Sequence, residues 1–206
     1  MTVAATNDLY AIPASAERAA RPLGAPTSLT ATGGTQQIAL TWTAATGATA
    51  YNVKRSTTSG SGYTTVATGV TTTSYTDTGL SDGTTYYYVV TSTGPNSESV
   101  NSSEASALTT PAAPTGLTAT GGTQQAALSW TASTSATSYN VKRATTSGGS
   151  YTTVATGVTA TSYMDTGLSS GTTYYYVITA VNGTGESASS AEVGVLTIPG
   201  APAGIT

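Results

Sequence analysis

The chain has 206 residues, of which 7% are charged, with a formal net charge of −3; it contains 23 glycines and 13 tyrosines but no histidine, cysteine or phenylalanine. These absences exclude disulfide bonds, zinc sites of the usual ligand types, thiol nucleophiles and imidazole bases. Any enzyme chemistry would depend on carboxylates, lysine or hydroxyls, so we expect no catalysis and no bound metal or cofactor.

The charge pattern also bears on partners. Six basic residues against nine acidic ones leave no basic stripe that could bind phosphate groups, so we expect no nucleic-acid partner. No apolar run approaches the roughly 20 residues that span a bilayer, so we expect no membrane insertion. The opening MTVAATNDLYAIP lacks the basic and apolar regions of a signal peptide. We expect either a mature segment given a start methionine or another route of release, such as packaging into a particle.

The first 24 residues form a segment that does not resemble the remainder of the chain and holds four of its fifteen charges. Leu9, Tyr10 and Ile12 make a small apolar cluster, and ASAERAA favours a short helical turn before Pro22. We hypothesise an extended arm that docks on another protein, such as a capsid, tail or filament subunit. Its candidate assembly contacts are Leu9, Tyr10, Ile12, Arg18 and Arg21. An arm packed on its own chain is the alternative.

The remainder is a tandem duplication. Residues 26–110 and 114–198 align at an offset of 88 without gaps, and 59 of the 85 aligned positions are identical. A unit of this length can bury its own core, so the sequence predicts two separate domains, 25–110 and 111–198, with a short Pro-Ala linker at 111–114. Residues 199–206 resemble the start of a third copy, and we interpret them either as part of a longer array or as a stub that pairs with a neighbour's edge strand.

Each copy alternates apolar and polar residues in short runs between glycine-containing turns, which is typical of an all-β sandwich. In IALTWT the alternation predicts a shared buried face for Ile38, Leu40 and Trp42. In GTTYYYVV it predicts two opposite faces: Tyr86, Tyr88 and Val90 inward, Tyr87 and Val89 outward.

Differences between the copies are concentrated in one region. Twelve of the 26 lie between Ser92 and Ala107 or their mates in the second copy. We interpret the region as a tolerant surface loop; the alternative is that it meets different surroundings in each copy. The candidate partner-facing residues of this loop are Asn96, Glu98, Asn182 and Glu186.

Paired carboxylates are the catalytic device that the composition still allows. Asp77, Glu98 and Glu104 recur at the same positions of the second copy, but catalytic sites rarely come as identical pairs on separate domains. We therefore predict turn and edge roles for them. The pairs at 54–55 and 142–143 hold four of the six basic residues, and we interpret them as solubilising strand ends, with contact to an acidic surface as the alternative.

Both copies resemble the fibronectin type III domain. The matching residues of the first copy are Pro26, Leu29, Leu40, Trp42, Tyr51, Val53 and the D-x-G-L-x-x-G-x-x-Y run from Asp77 to Tyr86. Those of the second are Pro114, Leu117, Leu128, Trp130, Tyr139, Val141 and the run from Asp165 to Tyr174. The resemblance covers residues 25–198 and implies two tandem immunoglobulin-like β-sandwiches. It implies core positions for the two tryptophans, and tyrosine corners at Tyr86 and Tyr174 whose hydroxyls bond to upstream backbone.

Type III domains serve as spacers, adhesion modules and virion appendages, and the loop before the last strand has no Arg-Gly-Asp motif here. We predict a non-enzymatic display protein, most specifically a decoration or fibre subunit of a bacteriophage virion anchored through its arm. The alternatives are a spacer of a secreted bacterial polysaccharide-degrading enzyme and a subunit of a bacterial surface filament or adhesin. The predicted location is a virion surface or the extracellular space, and weak glycan contact is compatible with each hypothesis.

Overall fold

The computed structural model describes residues 22–95 and 97–199, and all regular structure in these ranges is β. The strands of the first copy are β1 (Thr27–Gly34), β2 (Gln37–Thr43), β3 (Ala50–Ser56), β4 (Thr64–Val70), β5 (Ser74–Thr78), β6 (Thr85–Gly94), β7 (Ser97–Glu98) and β8 (Ala105–Leu108). Those of the second copy are β9 (Thr115–Gly122), β10 (Gln125–Thr131), β11 (Ser138–Ala144), β12 (Thr152–Val158), β13 (Ser162–Thr166), β14 (Thr173–Asn182), β15 (Gly185–Glu186) and β16 (Val193–Leu196). No helix in these ranges could cross a membrane.

Each copy folds into two facing antiparallel sheets. In domain 1 the smaller sheet has the order β1-β2-β5, and the larger has the order β4-β3-β6 with β7 and β8 both paired to the free edge of β6. Domain 2 repeats this arrangement with β9-β10-β13 and β12-β11-β14, and with β15 and β16 on β14. The all-β prediction of two tandem sandwiches is confirmed.

The core of each domain is built around one tryptophan. Trp42 contacts Tyr51 edge-on, with ring centroids 5.4 Å apart, and Trp130 and Tyr139 repeat this geometry. Such an edge-to-face pair adds to the burial energy of two large rings. The predicted alternation is confirmed in β2, whose residues alternate between buried and exposed along its whole length.

The two tyrosine corners are also confirmed. The hydroxyl of Tyr86 accepts a hydrogen bond from the backbone N–H of Ser81 at 3.1 Å, and Tyr174 accepts one from Ser169 at 3.1 Å. Each corner fixes the turn that precedes the central strand of the larger sheet. This turn lies at the end of the domain.

The last strand of each sandwich is interrupted between its two short pieces. In domain 1 the interruption is bridged by serines: the hydroxyls of Ser99 and Ser102 accept hydrogen bonds from the backbone N–H groups of Ser92 and Val90. Ser187 and Ser190 make the same bonds in domain 2. The non-strand residues between the two short pieces are therefore bonded to the edge of the long strand in each domain.

The outer face of β6 is partly covered by other side chains. Val89 has the expected parity, opposite to Tyr88, but its side chain is only 3% exposed, and Tyr87 is half-buried. Val89 faces Lys54 in the strand register, on the same face as the bond between Thr91 and Glu98. Long charged side chains cover apolar surface with their aliphatic stems, so this outer face is partly buried within the domain.

Candidate functional site at the domain junction

The two domains meet end to end through a small set of turns. Domain 1 contributes its trailing end, which we define as the turn at Gly83 together with residues 108–110. Domain 2 contributes its leading end, defined as the turn at residues 133–136 together with the hairpin turn at residues 182–185. The linker between them begins at the buried Pro111.

Three side chains of the leading end donate hydrogen bonds across this junction. Asn182 donates its amide to the carbonyl oxygen of Thr109 at 3.0 Å, and the Thr184 hydroxyl donates to the carbonyl oxygen of Leu108 at 2.8 Å. The Ser135 hydroxyl donates to the carbonyl oxygen of Gly83 at 2.6 Å. All three acceptors are backbone carbonyls of the trailing end. The contact therefore depends on the backbone conformation of domain 1 and not on the identity of its side chains.

Asn182 is held in position by its own turn. Its side-chain oxygen accepts hydrogen bonds from the backbone N–H groups of Thr184 and Gly185 at 2.8 and 3.2 Å, which leaves the amide nitrogen directed at Thr109. Asn182 is only 6% exposed and Thr109 is fully buried. A buried hydrogen bond with both partners fixed by other bonds gives a defined relative orientation of the two groups.

The backbones also approach closely at the Gly83 turn. Gly83 has a positive φ of 61°, and a Cβ atom added there would lie 2.7 Å from the carbonyl oxygen of Thr134. Its N–H donates to the carbonyl oxygen of Thr110 at 2.7 Å, and the N–H of Thr110 donates to Gly34. The start of the linker is thereby tied to domain 1 before the chain enters domain 2.

The three donors occupy positions at which the copies differ. Domain 1 has Gly47, Gly94 and Asn96 where domain 2 has Ser135, Asn182 and Thr184. Ser135 has a φ of 62°, a left-handed conformation that costs a non-glycine residue about 1–2 kcal/mol. Domain 1 has glycine at this position, so the strained serine is present only in the copy whose leading end contacts another domain.

The structure accounts for the predicted partner-facing residues as follows. Asn182 lies in the junction, where its partner is domain 1 of the same chain. Glu98 and Glu186 form ion pairs with Lys54 and Lys142, each at 2.8 Å, and remain about two-fifths exposed. Asn96 and the five arm residues Leu9, Tyr10, Ile12, Arg18 and Arg21 lie outside the described residues. Contact of these residues with an external partner stays a prediction.

Hydrogen bonds hold both glutamates in the charged form. The ammonium group of Lys54, followed by the Thr91 hydroxyl, lowers the pKa of Glu98 from 4.5 to about 2. Lys142 and Thr179 lower the pKa of Glu186 to about 2 in the same way. The lysines of both basic pairs are thus engaged within their own domains.

The arginines connect the two sheets of each sandwich. Arg55 on β3 donates to the Asp77 carboxylate on β5 at 2.9 Å, and Tyr88 on β6 donates to the same oxygen at 2.9 Å. Arg143, Asp165 and Tyr176 repeat this clamp. Burial, followed by the bond to Asp77, raises the pKa of Tyr88 well above its usual range. Asp77 lies on an edge strand, as predicted, but its carboxylate is buried in an ion pair with Arg55. Because Arg55 is held in this ion pair, the interpretation of Arg55 as a solubilising strand end is wrong.

Glu104 and Glu192 fasten a hairpin loop in each domain. Glu104 accepts hydrogen bonds from Tyr63, from the Ser59 hydroxyl and from the N–H of Gly60, and these donors lower its pKa. The described part of the chain contains no cluster of three metal-ligating side chains. The carboxylates of Asp77, Glu98 and Glu104, and their counterparts in domain 2, thus accept hydrogen bonds from donors of their own domain.

One family model matches a range that lies within domain 2. The family model for the fibronectin type III domain matches residues 112–195. A solved structure, an Fn3-like protein from Clostridium thermocellum, is 47% identical and covers 43% of this chain and 95% of that protein, with a TM-score of 0.40. The family-model match lies in the second copy, and the first copy is identical to the second at 59 of 85 aligned positions.

Two enzymes contain similar segments. An amylopullulanase from Thermoanaerobacterium saccharolyticum is 37% identical over 97 residues, which are 47% of this chain and 8% of the enzyme. A poly(3-hydroxybutyrate) depolymerase from Ralstonia pickettii is 47% identical over 87 residues, which are 41% of this chain and 16% of the enzyme. The chain therefore corresponds to a small part of each relative.

Proposed function

The chain belongs to the fibronectin type III family, and we propose that it is a non-catalytic, extracellular spacer that sets the distance and orientation between other parts of a polymer-degrading enzyme. The similarity to short segments of an amylopullulanase and a poly(3-hydroxybutyrate) depolymerase supports this reading. The relatives give no support to a virion surface subunit, which stays a prediction.

The observation that carries the proposal is the junction. A spacer with a fixed geometry needs contacts between its domains that specify one orientation. Three side-chain hydrogen bonds to backbone carbonyls, made by residues that the first copy lacks, are contacts of this kind. Each contributes about 0.5–1.5 kcal/mol, so together they favour one arrangement over free rotation about the linker.

Spin-label distances test this function on the full chain. The absence of cysteine allows Thr71→Cys and Thr159→Cys to carry the only labels; both threonines are exposed and equivalent in the two domains. We expect a narrow distance distribution. The matched control replaces Ser135, Asn182 and Thr184 by the first-copy residues Gly, Gly and Asn, and should broaden it. A broad distribution in the parent chain would contradict a fixed-geometry spacer.

Binding assays distinguish a spacer from a binding module. The chain is incubated with insoluble starch, pullulan and poly(3-hydroxybutyrate) granules and sedimented, with bovine serum albumin as the control for non-specific retention. A spacer should remain in the supernatant with all three polymers. Saturable retention on one polymer would overturn the passive role and identify a polymer-binding function instead.

A further inference from the structure

The trailing end of domain 2 reproduces the half of the junction that accepts hydrogen bonds. Gly171 has a φ of 63°, matching the 61° of Gly83. The hydroxyls of Thr109 and Thr197 occupy the same place in the two domains: each donates to an upstream serine carbonyl, at 2.8 and 2.7 Å, and accepts a backbone N–H at 3.0 Å. The two ends differ in one bond: the N–H of Gly83 donates to the carbonyl oxygen of Thr110, whereas the N–H of Gly171 donates to that of Thr197, the counterpart of Thr109. A carbonyl oxygen has two lone pairs, so Thr197 can still accept a second hydrogen bond.

The second of these trailing ends is uncovered in the described part of the chain. Gly83 and Thr110 are buried, whereas their counterparts Gly171 and Ile198 are exposed. Leu196 and Ile198 are 58% and 52% exposed. They are two of only four large hydrophobic side chains exposed within residues 22–95 and 97–199. Paired exposed apolar residues on an otherwise polar surface favour a contact with another protein surface.

The leading end of domain 1 differs from that of domain 2 and is filled by its own chain. Leu23 lies beside both of its turns: its methyl groups are 3.7 and 3.6 Å from the Cβ positions of Gly47 and Gly94. These glycines supply no side-chain donor. Domain 1 therefore lacks two of the three side-chain donors that domain 2 uses to bind a trailing end.

We propose that the trailing end of domain 2 is a docking surface for a further type III domain of the domain 2 kind. That domain carries serine, asparagine and threonine at the positions of Ser135, Asn182 and Thr184, and it is joined after residue 199. Its donors meet the carbonyl groups of Gly171, Leu196 and Thr197 as those of domain 2 meet Gly83, Leu108 and Thr109. Residues 200–206 are identical at four of seven positions to residues 112–118, the segment that leads from the linker into docked domain 2.

This docking surface rests on the proposed spacer function and its junction geometry. It also restricts the order in which the two kinds of domain can follow each other along the chain. A domain of the domain 1 kind, with Gly47 and Gly94, fits only where an apolar segment such as that of Leu23 precedes it. A domain of the domain 2 kind fits behind any trailing end. The two kinds are therefore not interchangeable within an array.

Three extended chains test the order. Each replaces residues 200–206 with one more domain: residues 112–199, residues 24–111, or residues 112–199 with the three donors changed to Gly, Gly and Asn. Spin labels at Thr159→Cys and at its equivalent in the added domain report the new junction. We expect a distance distribution at least twice as wide for the second and third chains as for the first. The substituted domain should fold, because domain 1 carries the same residues at these positions.

Equal widths for the first and third chains would overturn the proposal. Labels at Thr71→Cys and Thr159→Cys in the same three chains separate this failure from failure of the spacer function. A narrow distribution at the existing junction with a broad one at the new junction would refute only the docking surface. Broad distributions at both junctions would refute the fixed-geometry spacer as well.

Discussion

The side-chain amide of Asn182 donates to the carbonyl oxygen of Thr109, 73 residues earlier in the chain and in the other domain, at 3.0 Å. The bond is buried on both sides, so its loss would leave a carbonyl group without its partner. An unsatisfied buried acceptor costs about 1–3 kcal/mol. The pair therefore links the orientation of the two sandwiches to the identity of one residue in a hairpin turn.

Adding a methyl group to the Gly83 turn should disturb the junction, because the new Cβ would lie 2.7 Å from the carbonyl oxygen of Thr134. Gly171→Ala is the matched control: its φ is nearly the same, but its nearest neighbour is Pro199 at 3.9 Å. Both variants should lose about 1 kcal/mol of stability through the left-handed backbone. Only Gly83→Ala should also broaden the distance between labels at positions 71 and 159. Equal label distributions in the two variants would contradict the close approach.

The sequence was sufficient for the fold because the relevant signals are local. Period-two alternation places Trp42 and its neighbours on one face, and the resemblance to the fibronectin type III domain implies the corner at Tyr86. Alternation states which face a side chain takes but not whether that face is covered. Alternation therefore predicts the outward face of Val89 but not its burial there, and it does not connect Arg55 to Asp77, 22 residues away.

The junction was only partly visible in the sequence. The concentration of differences between Ser92 and Ala107 favours a tolerant surface loop, with different surroundings for the two copies as the alternative, and Asn182 and Thr184 lie in the corresponding region of the second copy. Ser135 lies outside that region and gave no signal of its own. The acceptors at the junction are backbone carbonyls, and a backbone carbonyl is present in every residue. The sequence therefore cannot indicate which carbonyls accept these bonds, and only the structure identifies the contact.

Removing the buried carboxylate of domain 2 should destabilise that domain. Asp165→Ala leaves the Arg143 guanidinium and the Tyr176 hydroxyl without their shared acceptor. Breaking a buried ion pair costs about 3–5 kcal/mol, and because the Arg143 side chain is 29% exposed, we expect about 2–3 kcal/mol. Hydrogen exchange of amides in β13 and β14 measures the loss, while β5 and β6 of domain 1 serve as the internal reference.

A matched variant in the same domain tests whether burial decides the size of this effect. Glu186→Ala removes an ion pair of similar length from a carboxylate that is 39% exposed. Exposed pairs contribute about 0.2–1 kcal/mol, so exchange in β14 should change little. Similar losses for Asp165→Ala and Glu186→Ala would refute the assignment of the clamp as the stronger link.

Acid should weaken both domains through their surface glutamates. The pKa values of Glu98 and Glu186 are lowered from 4.5 to about 2, so the charged forms are favoured in the folded state. Their contribution to stability is fully present above about pH 4.5 and is lost as the pH falls from there through about 2. Solvent screening keeps this contribution small, because both carboxylates are partly exposed.

Urea unfolding between pH 6 and pH 2 measures this contribution when the parent is compared with Lys54→Met, Lys142→Met. The double variant removes the main cause of both shifts, so its stability should fall less steeply between pH 4.5 and pH 2. Other carboxylates titrate equally in both proteins and cancel in the difference. Parallel curves over this window would show that the lysines do not set the two pKa values.

Gly121 should tolerate no side chain, because β9 approaches the end of β16 at this residue. An added Cβ would lie 2.0 Å from the carbonyl oxygen of Leu196, and neither backbone can move without breaking its sheet. Forcing an atom into such a contact costs about 3 kcal/mol. Gly122→Ala is the control, since its new methyl group would meet only the Gln125 side chain, which can change rotamer. Thermal unfolding should show a lower transition temperature for domain 2 in Gly121→Ala and a change of less than about 1 kcal/mol in Gly122→Ala. A stable Gly121→Ala variant would mean that the two strands are not in contact in solution.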